Sequence, residues 1–148
     1  MAETKLAIAR HGWSVAMVKG TLTAPGYGYT IGFTEQRHPE LLITGGTPEE
    51  TADALSMLAG MVLVHGHQLT PGNTFELPGG EIYLAAIEQP RNILWMAAKL
   101  YSWRMKALQV VWTDDDGRFP WERNPPGDLT QPLYGTPPVS WPAERVSS

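Results

Sequence analysis

Seven of the chain's 13 prolines lie beyond Phe119, and that crowding decides what the C-terminal stretch can become. A proline fixes its own φ, has no N–H to give to a helix or a sheet ladder, and drives the preceding residue to extended geometry. Residues 122–148 are therefore expected to form an extended tail, packed on their own domain or on a partner, with no long helix and no central strand. The preceding 1–121 has the length of a single domain with one core.

Within that domain the residue pattern predicts short elements. A helix runs from about Glu3 to His11, where Gly12 suits the left-handed residue that ends a helix. Trp13 to Val18 and Tyr27 to Phe33 read as two strands of a hairpin, the second with Tyr27, Tyr29, Ile31 and Phe33 on one face and Gly28, Thr30 and Gly32 on the other. Such glycines mark close approach of another backbone, a packed helix or a ligand. Leu41 to Thr44 is a short buried strand. Thr47-Pro48-Glu49-Glu50 then opens a helix that repeats Leu55, Leu58, Ala59 and Val62 on one face and ends near His65-Gly66.

Asn73 to Leu77 and Glu81 to Ile87 form a second hairpin around Pro78-Gly79-Gly80. Asn92 to Trp103 puts Ile93, Met96, Leu100 and Trp103 on one side of a helix, and Leu108 to Thr113 is an almost wholly apolar, central strand. The expected class is α+β, with a largely antiparallel sheet of five to six strands, two to three helices and the extended Pro-rich tail.

Composition narrows the function classes. A hydrophobic fraction of 43% and a charged fraction of 18% belong to a globular chain. Eleven basic against 15 acidic residues give a net charge of −4, which offers no broad positive field to nucleic acid. With no cysteine there is no disulfide, thiolate nucleophile or sulfur-ligated zinc. No apolar run approaches the roughly 18 residues that cross a bilayer. Met1 to Arg10 lacks a secretory pattern, so a cytoplasmic protein is expected, with no membrane partner.

Three segments carry a resemblance: His11-Gly12-Trp13; Tyr29-Thr30-Ile31-Gly32-Phe33 leading to His38-Pro39-Glu40-Leu41; and Gln109-Val110-Val111-Trp112 running through Asp114 to Gly117-Arg118-Phe119-Pro120-Trp121. In order and spacing they resemble the bacterial domain of unknown function 4262 (DUF4262) family, over roughly Ile8 to Trp121. The resemblance implies neither substrate nor mechanism. It marks where to look.

Among these segments His11 ends a helix, where the negative pole favours its protonated form; it suits an acid or a ligand, or equally a histidine that bonds the last carbonyls. His38 and Glu40, held stiffly around Pro39, suit proton transfer or the plain entry of a strand. Thr30 with Gly28 and Gly32 makes a shallow ligand floor if that face is open; otherwise Tyr29 is an interior aromatic whose hydroxyl finds a partner. Asp114 to Gly117 lacks the calcium-loop spacing and reads as a turn, with one acid pairing Arg118. Arg118 either grips an anion, stacked on Trp112 or Trp121, or clamps that acidic turn.

His65-x-His67 has no third ligand nearby, so no metal site is assigned. No cofactor can be named: there is no phosphate loop, no nucleophile elbow and no His-Glu-x-x-His helix, and Gly26-x-Gly28 lacks the remainder of a dinucleotide fingerprint. Two functions of different class remain. One is a small-molecule site, with His11, His38 and Glu40 as catalytic candidates and Trp13, Tyr29, Thr30, Trp112, Asp114, Arg118 and Trp121 as ligand-binding candidates, Arg118 for an anionic group. The other is an interaction or immunity-like module, with a homodimer as one form, that uses the aromatics and the tail, Trp141 included.

Overall fold

The computed structural model describes residues 1–122 and 131–138. Three helices, α1 (Ala2–His11), α2 (Pro48–Ala59) and α3 (Trp95–Tyr101), accompany six strands, β1 (Ser14–Val18), β2 (Tyr27–Ile31), β3 (Glu40–Thr44), β4 (Thr74–Leu77), β5 (Gly80–Ala86) and β6 (Ala107–Trp112). The strands form one sheet in the order β1-β2-β3-β6-β5-β4. Every neighbouring pair is antiparallel except β3 and β6, which run parallel at the centre. The α+β, largely antiparallel reading of the sequence is thus the observed fold, and β6 is the central strand it was expected to be.

Strand alternation sorts the core into two layers. Leu41 and Ile43 of β3, Leu108 and Val110 of β6, and Ile82 and Leu84 of β5 pack against Leu55, Leu58 and Val62 from α2 and its continuation. On the opposite face, Tyr29, Ile31, Leu42 and Ala107 meet Leu94, Ala97 and Tyr101, with Ile8 of α1 alongside. Each fully buried Leu or Ile contributes about 1.5–3 kcal/mol.

Local chemistry sets the ends of the elements. Gly12 ends α1 at φ 87, donating its N–H to Ile8 O. Thr47 and Glu50 form a reciprocal capping box around Pro48 at the start of α2. Beyond Ala59 the helix widens into a π-turn, Gly60–Val64, in place of a continuous α-helix to His65. Leu77 pairs with Gly80, so the second hairpin turns on Pro78 and Gly79 alone, with Gly80 opening β5 at φ 130.

Two expectations are corrected. Phe33 does not share the face of Tyr27, Tyr29 and Ile31. Gly32, at φ 127, turns the chain out of β2 into a 3-10 turn (Phe33–Gln36), and Phe33 enters the α2-side core. The helix predicted over Asn92 to Trp103 is shorter, and its buried face is Leu94, Ala97 and Tyr101. Ser102 breaks it at φ 52, leaving Trp103 80% exposed beneath the Arg91 guanidinium, 3.5 Å from the ring centre.

The described part of the tail, 131–138, has no regular structure and lies against the sheet. The Gln109 amide holds it: Nε2 donates to Thr44 Oγ1 and Pro132 O, while Oε1 accepts from the N–H groups of Tyr134 and Gly135. At Gly135 a Cβ would stand 2.5 Å from the Ala85 Cβ, so only glycine fits. Trp141 and the other residues of 123–130 and 139–148 lie outside the described residues.

Candidate functional site

The first residue of β3, Glu40, is fully buried, and its carboxylate organises the chain that leaves β2. Oε1 accepts from Thr30 Oγ1 at 2.8 Å and Phe33 N at 3.2 Å; Oε2 accepts from Gly32 N, Thr34 N and Thr34 Oγ1 at 3.2, 2.9 and 2.6 Å. The antiparallel pairing of β2 with β3 extends only to Tyr29 opposite Leu42. Past it, Thr30 Oγ1 takes the Leu41 N–H and Glu40 caps the 3-10 turn, so side chains replace the missing ladder. Burial pushes the Glu40 carboxyl above the usual carboxylate range, and the donors from Thr34, Thr30 and Gly32 draw it back.

Two residues earlier, His38 is equally committed. Its Nδ1 lies 2.8 Å from Pro39 O, and its Nε2 accepts the Leu69 N–H at 2.9 Å. A carbonyl accepts only, so Nδ1 carries the proton and the ring is neutral. Burial lowers its pKa, partly opposed by the bond to Pro39, and the ring packs edge-on to Phe33 at 5.6 Å. Both nitrogens are used within the fold, so the ring staples the entry of β3 to the segment that follows α2.

Above these buried groups lies a cavity of about 480 Å³ lined by Thr34, Arg37, His38, Pro39, Arg104 and Lys106. Parallel pairing brings the three cations together, because the N-terminal ends of β3 and β6 are side by side, with Glu40 opposite Ala107 and Glu40 N donating to Lys106 O. Arg37 sits in the left-handed region at φ 58, an uncommon conformation for a side-chain-bearing residue. It is held there as its N–H bonds to Thr34 O and the next N–H to Phe33 O. Arg104 lies over the Tyr101 ring, 5.8 Å from its centre.

Tyr101 in turn donates its hydroxyl to Glu35, and burial first, then that bond and the Glu35 charge, raise its pKa. Among the described residues the only ion pair is Arg118 with Asp116, so Arg37, Arg104 and Lys106 face the cavity with no carboxylate partner.

The structure divides the other candidates. His11 is exposed at the end of α1, and Trp13 is half-buried against Phe33. Tyr29 is an interior aromatic whose hydroxyl accepts the Met96 N–H at 3.0 Å. Thr30 and Gly28 make no open floor: Thr30 is buried, and a Cβ on Gly28 would meet Thr51 of α2 at 2.7 Å, so the bare face exists to seat a helix. Arg118 is the exposed clamp on the acidic turn, 3.1 Å from Asp116, while Asp114 Oδ1 accepts from the N–H groups of Asp116 and Arg118. Trp121 is buried, stacked on Phe119 at 4.9 Å.

Trp112 and Asp114 do share a cavity, a separate one of about 500 Å³ at the C-terminal ends of β3 and β6. Sequence reasoning missed Arg37, Arg104 and Lys106. Arg37 adjoins His38 in the sequence, but the other two could be found only by knowing that β3 and β6 pair in parallel.

No group of three or more His, Asp or Glu side chains among the described residues is placed to hold a metal ion. No described helix is long and apolar enough to cross a membrane. Fold and cavity together define an α+β mixed-sheet domain with a cation-lined pocket at one end of its central parallel pair. The chain belongs to the family described as domain of unknown function (DUF4262), whose model matches residues 7–126. No curated protein and no solved structure matches the chain.

Proposed function

We propose that this is a cytoplasmic binding protein for a small anionic metabolite, held through its phosphate or carboxylate group at the N-terminal ends of β3 and β6. The observation that carries the reading is the convergence of Arg37, Arg104 and Lys106, from three separate segments and without carboxylate partners among the described residues, on one cavity of metabolite size. In a chain of net charge −4 such a spot is local and directional, suited to a small ligand rather than a polyanion. Charge-assisted bonds from guanidinium to an oxyanion are stronger than neutral ones.

Among the described residues, three of the six groups with displaced pKa values, His38, Glu40 and Tyr101, lie in or beneath this cavity, which supports a functional site there. Their lone pairs and protons are spent on the fold, which favours binding over proton-transfer chemistry. The test is the native mass of the freshly purified protein against its denatured mass. An excess mass that is retained by the wild type and disappears in Arg104→Ala and Lys106→Ala supports the reading. An excess mass that both variants keep contradicts it.

A further inference from the structure

We propose that the cavity at the opposite end of the same strand pair is a second, independent site, for an organic cation of arylalkylammonium type. This cavity, about 500 Å³, is bounded by Trp112, by Gly45-Gly46 and the first turns of α2, and by the turn that follows β6. Among the described residues its lining contains Glu50, Asp114 and Asp115 and no Lys, Arg or His. At the N-terminus of α2, Thr47 and Glu50 satisfy each other's backbone N–H groups. Carboxylates alone do not make a site, but two further features point to a ligand.

The first is Thr51. It is only 3% exposed, and its Oγ1 has no hydrogen-bond partner among the described residues. That oxygen faces Gly46 on the cavity wall, where an added Cβ would approach it to 3.3 Å, while its methyl turns to Gly28. A buried hydroxyl is ordinarily bonded, so a lone one turned to a cavity is an acceptor in waiting. The second is Trp112, whose half-buried ring forms a wall of the cavity. An aromatic face beside carboxylates is the chemistry that recognises a desolvated ammonium.

The probe is phenethylammonium chloride, with phenethyl alcohol as its neutral counterpart, titrated into the full chain while the Trp112 indole N–H is followed by NMR. The ammonium is expected to bind at least about tenfold more tightly than the alcohol. Asp115→Asn and Thr51→Val are each expected to weaken it several-fold, with Thr51→Val melting no lower than the wild type. Equal affinity for ammonium and alcohol overturns the proposal, as does an indole signal that stays still up to solubility. A Thr51→Val chain that melts well below the wild type overturns the role given to that hydroxyl, and the comparison of the two probes on the wild type decides the site itself.

Discussion

The two ends of the β3–β6 pair differ in charge and in how their buried polar groups are used. At the N-terminal end His38 and Glu40 are saturated by internal bonds, and above them three cations stand without carboxylate partners. At the C-terminal end the surface is acidic, Glu50 and Asp114 are engaged in cap and turn bonds, and a buried hydroxyl is left over among the described residues. Only a parallel pair can sort side chains this way. Antiparallel neighbours mix starts and ends at each edge, whereas β3 and β6 collect both their starts at one edge and both their ends at the other.

If the N-terminal end is a rigid platform, the largest effect comes from removing its central acceptor. Glu40→Ala leaves five donors, three of them backbone N–H groups, without their acceptor, and is expected to cost about 3–5 kcal/mol in denaturant unfolding. Glu40→Gln turns an NH2 toward at least one backbone N–H and should cost about 1–3 kcal/mol, despite removing a buried charge. A Glu40→Gln chain as stable as the wild type would mean that the carboxylate is not the organiser described here.

The platform is also pH-sensitive with a definite sign. His38 is neutral and its pKa is lowered on folding, so its contribution is fully present above the unfolded value of about 6.5. It is lost as pH falls through the folded value, because a protonated Nε2 cannot accept from Leu69 N. His38→Gln offers an acceptor that does not titrate, and it should flatten the slope of stability against pH below about 6.5. An unchanged slope would assign the acid sensitivity to other groups.

The C-terminal end should respond less. Thr47→Ala removes the α2 cap and is expected to cost about 1 kcal/mol. The smallest effect belongs to Arg118→Ala, which breaks an exposed ion pair worth about 0–1 kcal/mol and leaves anion binding at the other end untouched. Loss of anion binding in that variant would return Arg118 to the role the sequence suggested for it and break the contrast between the ends.

What the sequence disclosed follows from which physics is local. Thr47-Pro48-Glu49-Glu50 carries its own cap, and the apolar run of β6 and the glycine after α1 are likewise written within a few residues. The bend at Gly32 was not legible, because its cause, the Glu40 carboxylate, is eight residues away and acts through space. Trp103 looked like core by spacing, yet the local break at Ser102 and the Arg91 stack put it on the surface.

The candidate site was half legible. His38 lies in the cation-lined cavity and Glu40 beneath it, but the cation that the sequence singles out is Arg118, since the sequence brings Arg118 near aromatics and says nothing of the parallel register that gathers Arg37, Arg104 and Lys106.

The most direct test of the account is a calorimetric titration of pyrophosphate into the wild type, Lys106→Ala and Arg118→Ala at low and physiological salt. Saturable binding is expected, weakened about tenfold by Lys106→Ala, unchanged by Arg118→Ala and diminished by salt. Equal affinity in the wild type and Lys106→Ala, or no heat with any of the three, would contradict it.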